Sequence, residues 1–199
     1  HEFFEFFLLI EGKINHSIDG RKKVLEKGDI VMLSPGKTHS FEWHEDGPAR
    51  SLQVLFMPSL LGADLKYLRK DKILADLIFM LPFYEEGCMV FRLSGKTFLK
   101  VQTLFEEMIE EYTEKKSSFQ TAIRAKLTDL LITVARTFEK ERYEHKDVKK
   151  SMSGTAEAII DSLSYIEANF TEDLKLEDVA EETAGVTKEY FSTPFHNIT

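Results

Sequence analysis

Histidine and glutamate side chains can bind a transition metal, move a proton or orient a small ligand. The sequence opens with both among aromatic rings, as HEFFEFFLLIEG, with four phenylalanines in its first seven residues. Alternate residues of a strand share a face, so His1, Phe3, Glu5, Phe7 and Leu9 point one way. Glu2, Phe4, Phe6, Leu8 and Ile10 point the other. His39, in PGKTHSFEW, adds a third group of similar chemistry. His1, Glu5 and His39 could thus form a nitrogen–oxygen metal set, contact an effector, or line a core as a hydrogen-bonded group. On a regular strand His1 and Glu5 lie roughly 13 Å apart at about 3.3 Å per residue. Metal–ligand bonds are about 2.1 Å long, so a bulge would be needed to bring the two together. No metal or other cofactor is expected. No other nucleophile–base arrangement stands out, so the chain does not read as an enzyme.

The elements that would position these groups follow from turn residues. After Glu11-Gly12, KINHSI meets Asp19-Gly20, a strong two-residue hairpin signal. RKKVL, IVML, THSFEW and ARSLQVLFM follow, divided by EKGD, SPGK and HEDGP. Short strands at this spacing predict an antiparallel sandwich or barrel over residues 1–58. In it Ile14, His16 and Ile18 share one face of their strand, and His39, Phe41 and Trp43 share one face of theirs. If these faces meet Phe3, Glu5 and Phe7, the lumen is aromatic with a few polar groups, the usual make-up of a small-molecule site. A barrel packed solid by the same side chains is the alternative.

Residues 59–145 read as helical. Phe98, Val101, Leu104, Phe105, Met108 and Ile109 recur at helical spacing, and Ser117-Ser118 interrupts the pattern. It resumes with Ile123, Leu127, Leu130, Leu131, Val134 and Phe138, a stripe wide enough to pack on its own domain along one edge and on a second subunit along another. Residues 146–154, KDVKKSMSG, are the best linker candidate. Beyond them, residues 155–199 read as one amphipathic helix followed by two short ones. From Ala156 to Thr199 ten acidic and two basic side chains give a net charge of −8, leaving 24 of each sign in the remainder. Such a segment repels phosphates, so charge alone argues against nucleic-acid binding there. Cys88 is the single cysteine, which excludes an internal disulfide and makes an intracellular, cytoplasmic setting the default. No apolar run approaches the roughly 18 residues of a membrane span, and HEFFE lacks the basic leader of a signal peptide.

Two stretches carry a family resemblance. His1, Glu5 and Gly12 resemble the first cupin motif, and Gly28, Pro35, Gly36 and His39 the second, with its usual glycine-to-histidine distance. SLSYIEANFTEDLKLEDVA with GVTKEYFSTPFHNIT resembles the start of the DNA-binding domain of AraC-type transcription regulators. The order of these motifs along nearly the whole chain is that family's layout. The resemblance implies an α+β protein: an N-terminal cupin-like antiparallel β-barrel that binds a small effector, such as a sugar or related metabolite, then helices that pair two subunits, then a helix-turn-helix domain. Effector contacts then fall to Phe3, Glu5, Phe7, His16, His39, Phe41 and Trp43, and dimerisation to Ile123, Leu127, Leu130, Leu131 and Val134. DNA contacts fall to Thr187, Lys188, Glu189, Ser192 and Thr193, at the exposed side of the presumed recognition helix. Pro194 inside that helix, its acidic surroundings and a wider Ala180–Gly185 spacing depart from the pattern, and only the first helix-turn-helix fits before Thr199. The expectation is therefore a regulator fragment that binds DNA weakly or not at all by itself. A cupin metalloenzyme, a dioxygenase or isomerase using His1, Glu5 and His39, is the alternative.

Overall fold

A computed structural model describes residues 3–18, 20–57, 60–61, 74 and 88–144, together with residues 162, 165, 166, 169, 174, 175 and 177–179. His1, the 146–154 linker and the five residues assigned to DNA contact lie outside the described residues.

Among the described residues there are seven strands and two long helices: β1 Phe4–Glu11, β2 Lys13–Ile18, β3 Arg21–Glu26, β4 Asp29–Leu33, β5 His39–Trp43, β6 Arg50–Phe56 and β7 Cys88–Arg92, then α1 Gly95–Glu114 and α2 Phe119–Glu144. The strands form a four-stranded sheet, β6-β1-β4-β7, and a three-stranded sheet, β3-β2-β5. The described pairs are antiparallel. The architecture is thus α+β with cupin-like antiparallel sheets followed by helices. The sequence predicts an antiparallel sandwich or barrel; the described strands take the sandwich form, two sheets with edges at β6, β7, β3 and β5 in place of one closed barrel. Ile18 pairs with Arg21, which leaves the two-residue hairpin loop that the sequence signals.

β1 is central in its sheet, hydrogen-bonded to β4 on one side and β6 on the other, so both of its faces can be covered. Phe4, Phe6, Leu8 and Ile10 face the helices and join Ile30, Met32, Phe56 and Met89 in a core with Val101, Leu104, Phe105 and Met108 of α1. Phe7 and Leu9 face the second sheet, where they pack with Ile14, Leu25, Val31 and Leu33. Two separate cores thus meet at one strand.

Two expectations are corrected here. Cys88–Arg92 falls in the stretch read as helical, yet it is a strand paired with β4. CMVFR is too short for a stable helix turn sequence and rich in side chains that suit a pleated surface. The second concerns the α2 stripe assigned to dimerisation. Leu127, Leu130, Leu131 and Val134 are each fully buried within the chain, in the core under the four-stranded sheet, and Ile123 packs against the same core. Helical periodicity reveals that a face is buried but not against what, and here the chain itself occupies that face.

A small node ties sheets to helices. Asp29, buried at the start of β4, accepts the Glu26 backbone N–H at 2.8 Å and the Arg92 Nε–H at 2.8 Å. Arg92 also meets Glu26 at 3.0 Å. Gly28 stands at φ +92°, and a Cβ there would lie 2.6 Å from the Leu93 carbonyl oxygen, so the turn requires glycine at this point. Its N–H donates to the Leu9 carbonyl and its own carbonyl accepts from Leu93, each at 2.8 Å. Leu93 lies immediately before the Ser94 cap of α1.

Candidate effector site between the sheets

Cross-strand pairs share a face, so the register defines the walls. On the four-stranded side Glu5 lies in a row with Leu55, Leu33 and Cys88, and Phe7 with Gln53, Val31 and Val90. On the three-stranded side His16 pairs with Phe41, Ile18 with His39 and Ile14 with Trp43. Contacts between sheets fix their alignment. The Phe7 and Phe41 rings stack at 4.1 Å between centroids, and His39 Nε2 lies 3.3 Å from Glu5 Oε2. His16 stacks on Phe41 at 4.5 Å, while His39 stands edge-on to both His16 and Phe41. Five of the seven residues assigned to the effector, Glu5, Phe7, His16, His39 and Phe41, therefore form one connected cluster. Phe3 is half-buried just before β1. Trp43 does not join the cluster: it is 71% exposed at the end of β5. Alternation gave its face correctly, but at the end of β5 the side chain stays largely in solvent.

The site is layered. Its floor is apolar and closed, with Leu9 and Leu25 fully buried. The aromatic stack forms the middle, and Glu5 with His39 forms the polar layer above. Burial acts on each ionisable group in the direction that disfavours charge. It pushes the His16 imidazole down to about 4, helped by His39 and Lys23, so this ring is neutral at pH 7. Burial likewise lowers His39 and raises Glu5. His16 is 1% exposed, and its Nε2 atom has no hydrogen-bond partner among the described residues. A buried polar atom left in this way costs about 1–3 kcal/mol, and such atoms usually mark a bound water or ligand.

Among the described residues, the cluster does not gather three donors close enough to share one ion. Among the described residues, the trio of His, Cys, Asp or Glu donors that falls within 4.8 Å of one another is His44, Glu45 and Asp46, on the surface. Glu5, His16 and His39 do not converge in that way. Asp46 instead forms an ion pair with Lys13 at 2.7 Å. The second cupin-like stretch delivers His39 through the Pro35-Gly36 turn, but it delivers it to a carboxyl group. Sequence reading missed the inward residues of β6 and β7, although the alternation Ser51, Gln53, Leu55 within ARSLQVLFM was a signal for the former.

Among solved structures, the chain is similar to the AraC-like transcriptional activator CuxR, with 17% identity and a TM-score of 0.41. The match covers 98% of this chain and 61% of CuxR. It is also similar to ToxT from Vibrio cholerae O395 bound to (E)-4-(8-methylnaphthalen-1-yl)but-3-enoic acid, at 12% identity and a TM-score of 0.48, over 99% of this chain and 68% of ToxT. The chain thus spans about 61–68% of the length of these proteins. No curated protein matches the sequence. A family model described as the cupin domain matches residues 1–55, the stretch that holds β1 to β5 and most of β6.

Proposed function

We propose that the protein is a ligand-responsive transcription regulator of AraC type, or a piece of one, and not an enzyme. Its two facing sheets bind a small effector, a sugar or related metabolite in the simplest form of this reading. Residues 146–154 pass the signal to residues 155–199, which contact DNA through Thr187, Lys188, Glu189, Ser192 and Thr193 as part of a complete C-terminal domain. It acts in the cytoplasm as a homodimer, and the subunit contact lies away from Leu127, Leu130, Leu131 and Val134, which the chain buries within itself. The cupin match and the order of motifs support the class. The single observation that carries the effector site is the buried, unpartnered Nε2 of a neutral imidazole within an aromatic lumen.

A thermal-shift screen of sugars and small metabolites tests this reading. At 100 times its dissociation constant a true effector stabilises the fold by about 2.7 kcal/mol, which raises the melting temperature by about 5–10 °C in a chain of this size. The shift should vanish in His16→Phe, which fills the same space without a polar atom. Stoichiometric iron, manganese or zinc in the purified protein, lost in Glu5→Ala and His39→Ala, would instead favour the cupin metalloenzyme.

A further inference from the structure

The two sheets cover each other unequally, since three strands face four. β5 lies over β1, as the Phe41–Phe7 stack and the His39–Glu5 contact require. β3 lies toward β7, where Glu26 meets Arg92. That leaves β6 beyond the rim of the smaller sheet. Its inward residues show the consequence. Leu55 pairs with buried Glu5 and Gln53 with buried Phe7, yet Leu55 is 51% exposed and Gln53 and Ser51 are exposed too. Phe41, on the β5 rim, is only half-buried despite its stacking partners.

We propose that the effector site opens sideways between β5 and β6, with Gln53 and Leu55 as its outer wall, for an uncharged ligand with a ring-sized apolar face and a group that hydrogen-bonds the Gln53 amide. This rests on the effector reading above. The slot has three levels: Trp43 beside Ser51, Phe41 beside Gln53, and His39 beside Leu55. They follow from the registers of β1 with β6 and the contacts of β1 with β5. At these levels β1, β5 and β6 present Leu9, Phe7 and Glu5, then Trp43, Phe41 and His39, then Ser51, Gln53 and Leu55. None of these nine is Lys or Arg, and Glu5 is acidic, so these described residues offer an anion no counter-charge. Leu55, Trp43 and the Phe41 edge supply apolar contact, and Gln53 offers both donors and an acceptor. A polyhydroxylated ligand would leave several hydroxyls facing these apolar side chains, and each buried hydroxyl without a partner is costly. Among the sugar-related metabolites of that reading, the slot thus selects a flatter, less hydroxylated molecule than a free sugar.

Trp43, the single tryptophan, stands at one end of the slot and reports on it. The test titrates Nile red, an uncharged planar dye, into the whole chain and follows energy transfer from Trp43. Saturable transfer is expected, weakened at least tenfold by Leu55→Glu and by Gln53→Glu. Leu99→Glu, at an equally exposed leucine on α1, should leave it unchanged. Leu55 and Gln53 are surface positions, and a thermal melt of each variant verifies that it folds. Transfer that Phe7→Ala weakens but both β6 variants leave intact would overturn the sideways opening while sparing the lumen site. Transfer indifferent to Phe7→Ala and to the β6 variants alike would count against both. Absence of saturable transfer would overturn the slot as a site for this ligand class, with the His16-dependent thermal shift judging the lumen separately.

Discussion

The two faces of β1 are built from the same few residue types and serve opposite ends. Phe4, Phe6, Leu8 and Ile10 face the helices, where each neighbour is apolar and the core continues unbroken through Phe105 to Leu130 and Val134. Phe3, Glu5, Phe7 and Leu9 face the second sheet, where the apolar floor gives way within two residues to a stacked imidazole and a buried carboxyl group. The first face spends every group on packing. The second leaves a buried nitrogen without a hydrogen-bond partner among the described residues, a demand that an aliphatic side chain at His16 would not make. Equal hydrophobicity on two sides of a strand therefore does not mean equal purpose.

The largest expected effect breaks the helix-facing side. Phe6→Ala deletes a ring that is 0% exposed and stacked on Phe56, and should cost about 3–5 kcal/mol of unfolding free energy in a denaturant titration. A loss below about 1 kcal/mol would mean that the helices do not hold this face.

The second effect belongs to the inward side and appears as a pH dependence. A histidine whose folded pKa is depressed stabilises the fold fully above its unfolded pKa, and that contribution is lost as pH falls toward the folded value. With His16 lowered from 6.5 to about 4, stability should fall between these pH values by on the order of 3 kcal/mol. His39, also lowered, adds to the slope. Glu5, raised, works in the opposite sense, since its contribution is present below its unfolded pKa and fades as pH rises through the folded one. Melting curves of His16→Phe should be distinctly flatter across this window than those of the unmodified protein. Identical slopes would show that the imidazole is not desolvated.

The smallest effect sharpens the contrast. Lys100 and Asp129 link α1 to α2 at 2.7 Å, but both are solvent-exposed. Lys100→Ala should cost less than about 1 kcal/mol, and most of that should disappear in molar salt. A larger cost would assign the helix pair's cohesion to charge and not to Val101, Leu104 and Phe105.

Much of this was legible in the sequence because turn chemistry is local. Asp19-Gly20 and the glycine of EKGD state where strands reverse, and alternation then assigns each side chain to a face. Glu5, Phe7, His16, His39 and Phe41 were grouped correctly for that reason. What alternation cannot state is whether anything lies opposite. Trp43 shares a face with Phe41 yet stands in solvent, and Leu55 shares a face with Glu5 yet lies beyond the rim of the other sheet. The same gap misassigned the α2 leucines, whose periodicity announces burial without naming the partner. β7 escaped notice because a five-residue strand carries too little periodic signal to contradict its helical surroundings.

The Asp29–Arg92 contact also orders events in time. It joins residues 63 positions apart, and β7, which it anchors, completes a sheet whose other strands end at Phe56. A chain emerging from the ribosome at about 5–20 residues per second has made six strands well before the seventh exists. Until Arg92 arrives, β4 offers an open edge beside apolar side chains, a form prone to pairing with the wrong chain. Arrest of synthesis between residues 57 and 88 should thus yield an aggregating intermediate, whereas a nascent chain extended past α1 should already have the β4 edge covered by β7.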